Sequence, residues 1–300
     1  MIQGQSDYTL EKQRVFWTIA ATHMQIVRSK LRAWPGSYPR YAYIDLNAGS
    51  GYNTEAGIWG SPTIAAAIGD RLNLPLDLTL FEADLARRQE LAARLSGRDD
   101  VHIYGDHAAE WRYIAAWYRG ARQTVLGLVY FDPNAALIPI DVINGLVVKP
   151  LDKVDVLLHI NANGGYKRPR GRGHAEYQGR YLADDVAKLD KKHWWIREPQ
   201  TDWQWTFLIG SNWPDFPKFR KQGFHPLASE AGQRVLDTLN LSRRERREAM
   251  ARLPFVLQPT EPMPSICAIP ASAPSGPSPS REPAASASDA GDARQLSLIT

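Results

Sequence analysis

A chain of 300 residues is long enough for one large domain or two small ones, and 44% apolar residues suffice for a sizeable core. With 36 basic and 32 acidic residues the formal net charge is +4, too mild by itself to require a polyanionic partner. The single cysteine, Cys267, excludes an intrachain disulfide and a cysteine-based zinc site, and no other metal site is expected. The stretch from Met1 to Thr9 is polar, and no apolar run approaches the ~18–20 residues that span a bilayer. The expectation is a soluble cytoplasmic protein with no membrane partner.

Three zones follow one another. Residues 8–34 carry Leu10, Val15, Phe16, Ile19, Met24, Ile26, Val27 and Leu31 at roughly helical spacing, and Trp34-Pro35-Gly36 ends that helix. From 41 to 257, strand-like and helix-like segments alternate. Tyr41 to Asn47 reads as a first strand. Ser61-Pro62 opens a helix through Ile68, with Ser61 as cap and Pro62 in the first turn. Leu76 to Phe81 is a second strand, followed by a helix from Asp84 to Leu95. Val101 to Tyr104 is short and extended, and His107 to Tyr118 is helical. Val125 to Phe131 is a near-continuous apolar run, as in a central parallel strand. A helix near 139–147 and a strand from Val154 to Ile160 come next. His193 to Arg197 and Trp203 to Ile209 read as two strands joined by Glu198-Pro199-Gln200-Thr201-Asp202, a link that permits only antiparallel pairing. Residues 258–300, rich in Pro, Ala and Ser, predict disorder. The domains expected are a helical segment at 1–40, an α/β domain at 41–257 and a tail at 258–300.

The alternation predicts a mostly parallel sheet with helices on both faces. A parallel sheet ending in an antiparallel hairpin resembles the class I methyltransferase outline. The expected fold is therefore α/β and Rossmann-like: seven strands, a C-terminal antiparallel hairpin and a preceding N-terminal helix.

The chemistry concentrates at the ends of the predicted strands. Asp45-Leu46-Asn47-Ala48-Gly49-Ser50-Gly51 follows the first, and its glycines permit positive φ and close approach of a ligand. Glu82 ends the second strand, where an acid can accept hydrogen bonds from a ribose diol. Gly105-Asp106-His107 follows the third, and Phe131-Asp132-Pro133-Asn134 ends the fourth. A dinucleotide-binding fingerprint needs a third glycine and an immediate helix; Tyr52-Asn53-Thr54 follows Gly51 instead, and the helix waits until Ser61.

The first loop, Gly60-Ser61-Pro62, Phe81-Glu82 and Phe131-Asp132-Pro133 resemble the three-Cys-motif partner protein family over roughly residues 10–160. That resemblance implies a methyltransferase-like domain. S-adenosylmethionine would sit at Asp45, Asn47, Gly49, Gly51, Glu82 and Asp106, and Asp132, Pro133 and Asn134 would face the methyl acceptor. The family usually has aromatics where Asn47 stands and an aromatic-glycine pair where Asn134-Ala135 stands. Cytosine C5 methylation, which needs a cysteine nucleophile, is disfavoured because Cys267 lies in the tail. Amino-group methylation needs none, and Asp132-Pro133-Asn134-Ala135 partly matches the motif of amino-methyltransferases, lacking its second proline and aromatic.

Tyr166, Lys167, Arg168, Arg170 and Arg172, in a glycine-flanked loop after the fifth strand, are candidate nucleic-acid contacts: cations for phosphates and a ring for stacking. At the end of the tail, Gln295-Leu296-Ser297-Leu298-Ile299 resembles the bacterial sliding-clamp-binding peptide, with Gln295, Leu296 and Leu298 as the anchoring side chains and Ile299 in place of the usual Phe. The leading expectation is a methyltransferase acting on nucleic acid, DNA in particular. The alternative is a non-catalytic nucleotide- or nucleic-acid-binding partner in a mobile-element or defence system.

Overall fold

The computed structural model describes residues 7–34, 39–120, 125–132, 137–161, 182–199, 205–240 and 248. These lie in the first of two units, Met1–Cys267; the second, Ala268–Thr300, is outside the described residues. The chain opens with α1 (Asp7–Ala33) and β1 (Tyr41–Asp45), then a small hairpin, β2 (Tyr52–Asn53) and β3 (Ile58–Trp59), and α2 (Ser61–Leu72). It continues through β4 (Leu76–Phe81), α3 (Leu85–Arg94), β5 (Val101–Tyr104), α4 (His107–Gly120), β6 (Leu126–Phe131), α5 (Ile140–Leu146) and β7 (Val154–Asn161). The last elements are α6 (Leu182–Val186), β8 (His193–Arg197), β9 (Trp205–Ser211), α7 (Pro217–Arg220), β10 (Phe224–Pro226) and α8 (Glu230–Asn240).

Eight strands form one sheet in the order β10-β8-β9-β7-β6-β1-β4-β5. Pairing is parallel from β5 to β7, whereas β9 runs antiparallel to both β7 and β8, and β10 runs antiparallel to β8. Every residue of β1, β4 and β6 is buried; β6 is accordingly apolar without alternation, whereas β1 also buries Asp45 and β4 buries Asp77 and Thr79. One face carries Tyr43, Leu78, Leu80, Leu128 and Tyr130 against α1, α2 and α3. The other carries Ile44, Val129, Phe131, Val156 and Leu158 against α4, α5, α6 and α8. The connections that step outward from β1 to β4 and β5 thus lie on one face, and those from β5 to β6 and β7 on the other. Winding reverses between β1 and β6, and the crevice at their carboxyl ends is where open α/β sheets take ligands. The architecture is a mixed, mostly parallel α/β sheet consistent with a Rossmann-like methyltransferase fold.

Three expectations are corrected. The sheet has eight strands, not seven, because Phe224–Pro226 adds an edge strand too short to leave a period in the sequence. The second hairpin strand, described over Trp205–Ser211, runs two residues past the expected end at Ile209 and is interior, pairing with β7 from Val156↔Gly210 to Asn161↔Trp205; Trp203 and Gln204 lie outside the described residues. Ser61 is not the cap of α2: Gly60 holds that position, and the Ser61 hydroxyl donates elsewhere.

α1 packs along the first face through Val15, Phe16, Ile19, Ala20, Met24, Val27 and Leu31. Phe16 lies on Tyr130 with ring centroids 4.5 Å apart. Two polar contacts bracket this stripe. At one end Lys12 Nζ lies 2.6 Å from Asp132 Oδ2. At the other the buried His23 sits between Tyr41 and Asp155, with Nδ1 2.7 Å from the phenol and Nε2 3.0 Å from the carboxylate. Burial, helped by the charge of Asp155, pushes the Tyr41 phenol well above its ordinary pKa, so it remains a donor. With a neutral imidazole, Tyr41 then donates to Nδ1 and Nε2–H donates to Asp155, which fixes the tautomer. Phe16→Ala should cost about 3–5 kcal/mol in urea denaturation, whereas Thr18→Ala on the exposed face of the same helix should cost ~0.5 kcal/mol or less.

Candidate functional site

The carboxyl ends of β1, β4, β5 and β6 are neighbours, so the Asp45–Gly51 loop, Glu82, Asp106 and Asp132 come together at one edge of the sheet. The loop is tied from below. Asp45, fully buried, accepts from the Tyr43 hydroxyl at 2.9 Å, the Ser61 hydroxyl at 2.7 Å and the Asn47 N–H at 3.0 Å. Leu46 N–H donates to the Tyr130 carbonyl and Ala48 N–H to the Phe81 carbonyl, both at 2.9 Å, which extends the ladder one step past the strand on each side.

The glycines have separate tasks. Both adopt left-handed φ, +63° at Gly49 and +75° at Gly51. A Cβ at Gly49 would meet nothing within 4 Å, so this part of the loop faces open space. At Gly51 it would fall 2.9 Å from Leu91 Cδ1, and the Gly51 carbonyl accepts the Gly60 N–H at 2.8 Å. A Cβ on Gly60 would lie 3.0 Å from the Gly51 carbonyl carbon. Gly60-Ser61 therefore closes the loop by backbone approach at Gly60 and by the bond from Ser61 to Asp45. Asn47 Oδ1 is buried without a hydrogen-bond partner among the described residues.

Glu82 is half-buried; its Oε1 accepts from the Asp84 N–H at 2.8 Å while Asp84 caps α3 through the Arg87 N–H. Asp106 is exposed and accepts from the Ala108 N–H at 2.9 Å, at the entrance to α4. His107, the first residue of α4, bonds the Leu46 backbone and lies edge-on to Phe131 at 6.4 Å; burial lowers its pKa.

At β6 the contacts are ionic. Asp132 Oδ2 faces Lys12 Nζ at 2.6 Å, and Oδ1 faces His159 Nδ1 at 2.7 Å. The Asp132 and Lys12 side chains are 12% and 13% exposed, and His159 is 2% exposed between Trp205 and Phe207. Burial alone would raise the Asp132 pKa, but Lys12 and then His159 hold the carboxyl well below its ordinary range. Burial lowers His159 against the opposing pull of Asp132. Lys12, His107 and His159 were not foreseen as site residues. Lys12, Phe16, Ile19 and His23 do share one helical stripe, and polar residues bracketing such a stripe are the available signal.

Pro133 and Asn134, the loop residues Tyr166, Lys167, Arg168, Arg170 and Arg172, and the peptide residues Gln295, Leu296 and Leu298 lie outside the described residues. Among the described residues no group of three His, Cys, Asp or Glu could hold a metal ion, and no helix is long and apolar enough to cross a membrane.

No family model matches this chain, and no curated protein matches it. Among solved structures, a DUF519 protein from Legionella pneumophila is similar at a TM-score of 0.40 and 15% identity, over 68% of this chain and 88% of that one. A probable spermidine synthase from Corynebacterium glutamicum is similar at a TM-score of 0.37 and 13% identity, over 74% of this chain and 68% of that one. Likenesses this distant say nothing of the site; the fold rests on the strand order above.

Two outcomes test the loop. Gly49→Ala should cost ~1–2 kcal/mol, the left-handed penalty alone, whereas Gly51→Ala should cost on the order of 3 kcal/mol because Leu91 must also move; thermal or urea unfolding separates them. Asp45 is pushed up to about 6, chiefly by burial and also by the charge of Asp132, against the bonds from Ser61, Asn47 and Tyr43. Its folded pKa is raised, so the folded protein keeps a proton that the unfolded chain gives up at lower pH. Its contribution to stability is therefore lost as pH rises from ~4 to about 6, by roughly 3 kcal/mol. Denaturation midpoints of the wild type and Asp45→Asn, compared across that window, should diverge as pH rises. Parallel curves would refute the buried-proton account.

Proposed function

We propose that this chain is an S-adenosylmethionine-dependent methyltransferase acting on nucleic acid, with an amino group of DNA as the acceptor. The observation that carries the reading is the convergence of the Asp45–Gly51 loop, Glu82, Asp106 and Asp132 on four neighbouring strand ends at the β1/β6 switch point. The residues fit the cofactor. The open space at Gly49 admits it, the orphan Asn47 Oδ1 offers an acceptor, and Glu82 keeps Oε2 for a ribose diol, only Oε1 being engaged among the described residues. Asp106, at the entrance to α4, is exposed and on this reading would face the adenine. S-adenosylmethionine supplies an activated methyl group; the protein's own work is alignment and exclusion of water.

On this reading Asp132 accepts hydrogens from the acceptor nitrogen, with Pro133 and Asn134 beside it. Tyr166, Lys167, Arg168, Arg170 and Arg172 hold the nucleic acid, and Gln295, Leu296 and Leu298 engage a sliding clamp. The protein works in the cytoplasm. The kinship with three-Cys-motif partner proteins belongs to the same proposal and rests on the shared motifs.

One observation favours a second reading, a non-catalytic partner that binds a nucleotide or nucleic acid: both oxygens of Asp132 already have partners within the chain. Calorimetry with S-adenosylmethionine and transfer of labelled methyl to DNA, RNA and protein pools discriminate. The enzyme reading expects binding, weakened ~10–100-fold by Glu82→Gln, and transfer abolished by Asp132→Ala with binding kept. Binding without transfer in any pool selects the partner reading. No binding at millimolar cofactor ends the methyltransferase proposal.

A further inference from the structure

We propose that Lys12, delivered by α1, is the positioning residue of this site: it keeps the Asp132 carboxylate charged and aimed, so that it meets the methyl acceptor purely as a hydrogen-bond acceptor. This rests on the methyl-transfer reading.

The need follows from chemistry. An amino group presents hydrogens, and only an ionised carboxylate accepts on both oxygens; a protonated one turns one oxygen into a donor. Asp132 is largely buried, an environment that favours the protonated form. Three titratable groups act on it from the elements packed around it. Asp45 on β1 is the like charge among them; the charge of Asp132 raises the pKa of Asp45, so a proton goes to Asp45 first. His159 Nδ1 on β7 lies 2.7 Å from Oδ1, but burial lowers its own pKa, so it is not the source of a full positive charge near neutral pH. Lys12 supplies the full positive charge, 2.6 Å from Oδ2.

The occupancy is also right. Each carboxylate oxygen has two acceptor positions. Among the described residues Lys12 approaches Oδ2 and His159 approaches Oδ1, one group to each oxygen, so on this reading the second position of each is there for the acceptor's hydrogens.

The position of Lys12 is imposed by the fold. The apolar stripe from Val15 to Leu31 seats α1 on the sheet, and His23 fixes its far end to Tyr41 and Asp155. Eleven residues of helix from Lys12 to His23 span ~16 Å. The parallel strand β7 carries the matching groups, Asp155 toward its start and His159 toward its end. The N-terminal helix thereby contributes a group to the site and is not an appendage to it.

The test uses the full chain as wild type, Lys12→Met and Lys12→Arg, with three readouts: S-adenosylmethionine affinity by calorimetry, the pH profile of methyl transfer to DNA, and titration of ¹³C-labelled aspartate, with Asp132→Asn assigning the resonance. Lys12→Met should keep the cofactor Kd within about twofold. It should lower transfer at neutral pH by ~10-fold or more, move the acid limb of the profile upward, and make Asp132 titrate at higher pH. Lys12→Arg should restore the profile and the titration. The proposal is overturned if Asp132 titrates in Lys12→Met as in wild type, even where transfer is lost, because Lys12 would then be merely structural. It is overturned equally if Lys12→Arg folds and binds cofactor but behaves like Lys12→Met. Failure of wild type to bind S-adenosylmethionine sinks the methyl-transfer reading instead and with it the acceptor role, while the ¹³C titration still decides whether Lys12 sets the charge of Asp132.

Discussion

The burial of one carboxylate organises this edge of the sheet. Asp45 is inaccessible to solvent, and leaving it without partners there would cost several kcal/mol. Its partners come from three places in the chain: Tyr43 two residues back on the strand, the Asn47 N–H in the loop, and Ser61 at the first turn of α2. The loop cannot leave its path without stranding that charge. The path forces positive φ at Gly49 and Gly51, and the closing approach of Gly60 to Gly51 follows from it. The sequence signature of glycines, serine and acid is thus one hydrogen-bonded object, spread over residues 45 to 61.

Much of the fold is legible because parallel strands buried on both faces leave continuous apolar runs, and a helix lying on a sheet leaves a stripe of period 3.6. β1, β4, β5, β6 and β7 and the span of α1 follow from those two signals to within a residue or two. The hairpin β2–β3 and the edge strand β10, with two or three residues per strand, are too short to carry a period. Helix α8 carries an apolar stripe in Val235, Leu236 and Leu239 that is legible in the sequence. The strand-end acids were legible as positions; their partners were not. Lys12 and Asp132 are separated by 120 positions and His23 and Asp155 by 132, and no local pattern announces a contact between residues so far apart. Ser61 shows a subtler failure. Serine before proline at a helix start is good capping chemistry, but Gly60 at the cap frees the serine hydroxyl for the buried acid, a stronger demand than an exposed helix N–H.

The helix α1 shows how a surface element becomes part of a site. Its apolar face supplies the driving force, which is indifferent to register. Register comes from the two polar contacts, because shifting the helix by one turn would take Lys12 from Asp132 and the buried His23 from both Tyr41 and Asp155 at once. Packing energy and positional specificity are therefore carried by different residues of the same face.

Asp45 pairs with Tyr130, two residues before Asp132 on the neighbouring strand, and feels the charge of Asp132. Two like charges so close need different treatment if both are to persist. The chain surrounds Asp45 with neutral donors, two hydroxyls and an amide, and its pKa rises to about 6. It gives Asp132 a lysine and a histidine, and its pKa falls well below the usual range. Opposed shifts in neighbouring carboxyls are a mark of sites with divided roles. The division matches their surroundings: Asp45, held by neutral donors beneath the loop, takes a proton at about 6, while Asp132, beside Lys12 and His159, keeps its charge to much lower pH.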